Sequence, residues 1–301
     1  MHTIPDSISN RINALRLAFV YRAAHRGELV LHDRPGGLFS LYCQVLGCLL
    51  VSNLLRCSLR LRFVSGDYRT ATTGESGWWD QFFETSLYFP ERKRREAVIE
   101  LPATKKSVRF AHLGVALDRH LAHQLTSQIR LRRELLEEAA DFQGNHFINR
   151  PLVGIHYRGT DKLISEAVRI PYAEALDVLA GLDSRIHFFV ATDEQAFLDA
   201  MLDRFGRRVI FREQHRSTDG TPIHHFEPDH ASLGCIRGKD AILDAILLAR
   251  CHALIRTVSN LSLASTFMNP NIPELIFPTT AAKNGPVKSI RSIEQAALKS
   301  Q

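Results

Sequence analysis

The segment richest in reactive side chains is Gly154–Glu166, G-I-H-Y-R-G-T-D-K-L-I-S-E. The apolar run Leu152–Tyr157 reads as a buried strand, and it leads directly into His156, Arg158, Thr160, Asp161 and Lys162. Polar side chains gathered just past the carboxyl end of a strand are where a doubly wound domain keeps its ligand contacts. Arg158 offers a planar fork of donors and Lys162 a point charge, which together suit a diphosphate. Surface ion pairing in a loop is the plainer alternative. A second cluster, His224, His225, Glu227, Asp229 and His230, has the residue types of a metal site, but its setting in a long polar loop favours a solvated segment.

Other chemistries are excluded by pattern. The sequence has no G-x-G-x-x-G, G-x-S-x-G, H-E-x-x-H or Asp-x-Asp. Gly234–Lys239 (GCIRGK) imitates a phosphate-binding loop, yet it is one residue short and continues into Asp240 where Ser or Thr is required. The five cysteines, Cys43, Cys48, Cys57, Cys235 and Cys251, form no C-x-x-C pair. They read as buried thiols of a reducing, cytoplasmic compartment.

The elements that would position these residues alternate regularly after Pro151. Strands are expected at Leu152–Tyr157, Ile186–Ala191, Arg208–Arg212, Ala253–Arg256 and Glu274–Phe277. Helices are expected at Tyr172–Leu182, Asp193–Phe205, Lys239–Arg250 and Asn260–Met268, with a polar loop over Glu213–Arg237. Short apolar strands alternating with helices imply a parallel sheet covered on both faces. The first half starts in the same way: a strand at Glu28–His32, a turn at Pro35-Gly36-Gly37, and a second strand at Leu59–Val64. From Gly36 to Leu55 the chain carries no charge. Ser40, Gln44, Ser52 and Asn53 within this run favour a buried helix over a membrane span.

Two Rossmann-like domains follow, residues 1–149 and 150–301, with parallel sheets facing a central cleft and a last helix able to pack back on either. A chain of 301 residues accommodates two domains. With 45% apolar and 23% charged residues, it is neither disordered nor coiled-coil. The net charge of +6 favours anionic partners. The basic run ERKRRE (91–96) has no interleaved aromatics to suggest nucleic acid, and Arg130–Glu138 has the charge pairing of a solvated helix face, Arg133 with Glu137.

The His-x-Arg-x-Thr-Asp-Lys segment resembles the first motif of the α1,6-fucosyltransferases, and more distantly that of the protein O-fucosyltransferases. Phe189–Glu194 (FVATDE) is similar to their second motif, and Asp240–Ser262 to their third. The resemblance implies a GT-B, α/β fold and an inverting, metal-independent glycosyltransferase. Its donor would be GDP-fucose, with no other cofactor, and its acceptor an oligosaccharide or glycolipid, with peripheral membrane association one option and no nucleic-acid partner.

Carried over, Arg158 holds the β-phosphate and Lys162 lies at the leaving diphosphate. Asp161 and Asp193 belong to the donor site. His156 and Asp244 lie near guanine, and Ser259 contacts phosphate. Glu166 is placed as the catalytic base, and Gly36 and Gly37 form the turn that lets backbone approach the donor. Plainer roles remain for three of these: Asp244 as a helix-face carboxylate, Asp193 as a helix N-cap, Glu166 as a solvated side chain. One position departs from the motif: a second arginine is common where Gly159 stands, which leaves another nucleotide-sugar donor as the alternative. A non-catalytic protein that binds anionic glycan or nucleic acid is the remaining class.

Overall fold

The structure is a computed structural model that describes residues 28–33, 36–55, 58–64, 68, 77–84, 98–101, 118–159, 170–220, 231–277 and 290–299. The chain divides into two compact units, 1–133 with 228–239, and 134–227 with 240–301. The division falls ahead of the position near Arg150 expected from sequence.

The first unit contains a three-stranded parallel sheet of β1 (Glu28–His32), β2 (Ser58–Arg62) and β4 (Val98–Leu101), in the order β2-β1-β4. Strands β3 (Phe83–Glu84) and β5 (Arg130–Leu131) form a small antiparallel pair. Helix α1 (Leu38–Leu55) links β1 to β2 and accounts for the uncharged run. Its apolar side chains Leu38, Leu41, Val45, Leu46 and Leu49 are buried, and so are Ser40, Gln44 and Ser52. A helix enclosed on most sides has no face for a charge, so the run is uncharged throughout rather than amphipathic. No described helix is long and apolar enough to cross a membrane.

Rings from several segments complete this core. Trp79 stacks on Phe83 with centroids 4.1 Å apart, and Phe63 stacks on Trp78 at 5.2 Å. The Trp78 indole N–H donates to Asp33 at 2.9 Å, so burial leaves its polar atom satisfied. Helix α2 (Arg119–Thr126) is capped by Asp118, which accepts from the Leu121 amide at 2.9 Å.

The second unit holds a five-stranded, fully parallel sheet in the order β10-β9-β6-β7-β8. Its strands are β6 (Leu152–Tyr157), β7 (His187–Thr192), β8 (Val209–Phe211), β9 (Ala253–Arg256) and β10 (Glu274–Ile276). Strand alternation gives the sheet two buried faces. Val153, Ile155, Tyr157, Phe188, Val190 and Ile255 pack in one core with helices α4 (Tyr172–Ala180), α5 (Gln195–Phe205) and α8 (Ile290–Leu298). The C-terminal helix therefore packs on this unit's own sheet, through Ile293 and Ala297.

The opposite face meets helix α3 (Arg133–His146), where Phe142 and Phe147 lie edge-on to Phe189. At Gly154 a Cβ would press on Leu248 and Cys251 at 3.0 and 3.1 Å, so glycine permits the close approach there. In α3 Arg133, Glu134, Glu137 and Asp141 are exposed while Leu135 and Ala139 are buried, and Glu138 is half-buried.

Helix α6 (Ala231–Ala249) starts eight residues before the expected Lys239. Two glycines made Gly234–Gly238 look like loop, but Gly238 is where the Phe82 ring lies against the helix, with no space for a Cβ. GCIRGK is thus helical and cannot wrap a phosphate as a loop. Helix α7 (Asn260–Met268) completes the described elements.

Candidate functional site

Four strands of the second unit deliver polar residues to one edge of the sheet. Strand β6 ends in Arg158 and Gly159, β7 in Asp193 and Glu194, β8 in Arg212, and β9 in Thr257 and Ser259. The strands are parallel and β6 lies between β9 and β7, so these residues are neighbours although far apart in sequence.

Arg158 is pinned from both sides. Its backbone N–H donates to Thr257 Oγ1 at 3.0 Å, and its Nε lies 3.9 Å from Asp193 Oδ2. The next amide, Gly159 N–H, donates to Asp193 Oδ1 at 3.3 Å. Asp193 therefore faces the end of β6. The N-cap position of α5 falls to Glu194, whose side chain makes no cap hydrogen bond. The plainer role for Asp193, a helix cap, does not hold. Its carboxylate organises the Arg158–Gly159 backbone instead.

His156 is 4% exposed. Its ring nitrogens lie 3.5 Å from Thr257 Oγ1 and 3.5 Å from Ser259 Oγ. Ser259 is the N-cap of α7 and accepts from the Ser262 amide at 3.2 Å. The first turn of α7 thus opens beside His156 and Arg158, a helix-terminal position that favours an anion.

Asp244 occupies a different cluster. It is 5% exposed on α6, accepts from Gln214 Nε2 at 3.0 Å, and lies 3.5 Å from Arg212 Nη1. Burial pushes its carboxyl up to about 6, while Arg212, Gln214 and Arg216 pull it back and Asp240 adds to the rise. Arg212 also pairs with Asp240 at 3.1 Å and approaches Glu138 at 3.9 Å. Arg216 is buried, donates to the Arg212 carbonyl at 2.7 Å, and lies over the Phe211 ring. Asp244 is therefore not an ordinary helix-face carboxylate, being buried among these partners.

Arg158, His156, Asp193 and Ser259 are therefore brought together, and Asp244 is held among partners at the end of β8. Asp161, Lys162 and Glu166 lie outside the described residues, as do Cys57 and the histidine-rich cluster 224–230. Among the described residues no group of three His, Cys, Asp or Glu side chains is arranged to hold a metal ion. Gly36 and Gly37 belong to the first unit. Gly36 has φ 140°, a conformation that favours glycine, and nothing would crowd a Cβ at Gly37. The Leu38 amide at the start of α1 donates to the Tyr68 hydroxyl at 2.8 Å, so that N–H is already engaged. Cys43, Cys48 and Cys251 are buried thiols, and burial pushes Cys43 up to about 12.

Sequence reasoning gave no role of their own to Thr257 and Glu194, which lie within the motifs, and missed Tyr172, Arg212 and Gln214. Thr257 and Arg212 each directly follow a strand, the signal that singled out Arg158. Glu194 follows Asp193 in the motif, and its 4% exposure could not be read from sequence. It accepts from the Tyr172 hydroxyl at 2.7 Å. It also accounts for Gly159: a Cβ there would fall on the Glu194 carboxyl.

No protein-family model matches the chain, and no curated protein is similar to it at a significant level. Solved structures are similar. A NodZ α-1,6-fucosyltransferase soaked with GDP-fucose superposes with a TM-score of 0.59 at 14% identity, over 87% of this chain and 98% of that one. The fucosyltransferase NodZ from Bradyrhizobium gives 0.57 at 14% identity, over 84% and 96%. POFUT1 in complex with GDP gives 0.52 at 11% identity, over 85% and 99%. The chain has the α/β, GT-B-like fold of these fucosyltransferases.

Proposed function

We propose that the chain is an inverting glycosyltransferase that transfers fucose from GDP-fucose to a glycan or glycolipid acceptor. The observation that carries this reading is Arg158, set at the end of the central strand between Asp193 and the α7 N-terminus. A guanidinium and a helix N-terminus on one edge form an electrostatic receptor for a diphosphate. The solved structures with this fold that hold GDP or GDP-fucose support the same ligand.

In the reaction, the bond between fucose C1 and the β-phosphate oxygen breaks, and an acceptor hydroxyl oxygen bonds to C1 from the opposite face. Charge with oxocarbenium character develops on the sugar and negative charge on the departing GDP. Arg158, Lys162 and the α7 N-terminus stabilise the diphosphate, and Ser259 contributes a hydroxyl. The acceptor proton passes to Glu166. His156 and Asp244 lie toward guanine, Asp161 and Asp193 order the donor site, and the Gly36–Gly37 turn leaves backbone room for the donor. No step requires a metal. The second unit is the nucleotide-sugar domain and the first serves the acceptor. The buried thiols fit a cytoplasmic enzyme.

A thermal-shift comparison of nucleotides tests the reading, since a ligand of the native state raises the midpoint by mass action. Stabilisation by GDP and GDP-fucose but not UDP is expected. Equal stabilisation by UDP favours another nucleotide-sugar donor, the alternative raised by Gly159, and no response to any nucleotide overturns the donor site.

A further inference from the structure

Beside Arg158 a buried carboxyl holds a place that a side chain could otherwise occupy. Glu194 is 4% exposed, an uncommon setting for glutamate. Its Oε2 accepts from the Tyr172 hydroxyl at 2.7 Å. Tyr172 is itself held by rings: it lies edge-on to Tyr157 at 5.5 Å and to Phe197 at 5.6 Å, and those two stack at 4.0 Å. On its other side the Glu194 carboxyl packs on Gly159, closely enough that a Cβ there would clash with it. The Gly159 amide donates to Asp193 and the Arg158 amide to Thr257. Support thus runs from the ring core through Tyr172 and Glu194 to the backbone that carries Arg158.

We propose that Glu194 is a positioning residue for Arg158: braced by Tyr172 and packed on Gly159, it sets the backbone from which the guanidinium reaches the donor diphosphate, and a side chain at 159 would have to displace it. This rests on the donor-site reading above. It also bears on why the site presents one arginine at these two positions: a longer residue at 159 would have to displace the Glu194 carboxyl from its place on Tyr172.

The test measures GDP affinity by calorimetry and thermal stability for the unaltered protein, Glu194→Ala, Glu194→Gln, Tyr172→Phe, Gly159→Ala and the Gly159→Ala/Glu194→Ala double variant. Glu194→Ala is expected to weaken GDP binding about tenfold or more. Glu194→Gln fills the same space and can still accept from Tyr172, so it restores most of the affinity. Gly159→Ala weakens binding, and adding Glu194→Ala to it costs less than the sum of the two single effects, because the shorter side chain removes the clash. Tyr172→Phe removes a single hydroxyl and carries the test if Glu194→Ala does not fold. It is expected to reduce GDP affinity beyond any fall that its loss of thermal stability explains. Unchanged GDP affinity in Glu194→Ala or Tyr172→Phe, no recovery in Glu194→Gln, or additive effects at 159 and 194 overturn the positioning role. Failure of the unaltered protein to bind GDP overturns the donor reading instead.

Discussion

Arg158 and Asp193 leave the ends of two adjacent parallel strands with Nε 3.9 Å from Oδ2, side chains 25% and 18% exposed. At that separation and exposure the pair is an attraction across a partly solvated gap, worth little to folding. Asp193 also accepts from the Gly159 amide, so its carboxylate fixes backbone as well as charge. A weak ion pair on a firmly held backbone suits a guanidinium that must turn toward an anionic ligand.

Replacing Arg158 is therefore expected to cost binding more than stability. A charge-assisted hydrogen bond contributes about 1.5–3 kcal/mol, so Arg158→Ala should weaken GDP about 10–100-fold. Arg158→Lys keeps charge without the fork and should fall between. Calorimetric titration with GDP measures both, and the melting midpoint is expected to move little.

Asp244 makes stability depend on pH. Its folded-state value of about 6 lies above its ordinary 3.8, so the native state holds the proton more tightly than the unfolded chain. This contribution is fully present below about pH 4, is lost as pH rises to about 6, and stays constant above that. Asp244→Asn removes the dependence. The difference in melting midpoint, variant minus parent, should rise from pH 4 to about 6.5 and then level. A flat difference across that window would show that the aspartate titrates normally.

The ring pair beneath the site should dominate local stability. Tyr157 and Phe197 are fully buried and stack with centroids 4.0 Å apart and planes 10° apart. Phe197→Ala should cost about 3–5 kcal/mol in denaturant unfolding. Tyr157→Phe keeps the stack and loses the hydroxyl bond to the Ile170 carbonyl at 2.6 Å, for about 1 kcal/mol.

In the first unit, Tyr68→Phe should leave the buried Leu38 amide without its acceptor, at a cost of about 1–3 kcal/mol. Amide exchange at the start of α1 is expected to speed up, whereas a contact made only through the Tyr68 ring would leave it unchanged.

The five parallel strands and the edge that carries Arg158 were legible in the sequence, because a strand buried on both faces must be a short apolar run and its end must be polar. Leu152–Tyr157 followed by Arg158, and His187–Thr192 followed by Asp193, show both signals. The uncharged stretch was legible as the buried helix α1 for a related reason, since an enclosed helix has nowhere to place a charge. The start of α6 was not legible: glycines at 234 and 238 argue locally for a loop, and only the tertiary structure shows that Gly238 is a helical position where the Phe82 ring lies close. Tertiary structure alone decided the partners. Thr257 meets the Arg158 amide across 99 positions and Gln214 meets Asp244 across 30, contacts that strand order creates and that no local pattern encodes. It also decided what stands beside Gly159: the Glu194 carboxyl, delivered by the neighbouring strand and held by Tyr172, occupies the space a side chain there would enter and would have to move to admit one.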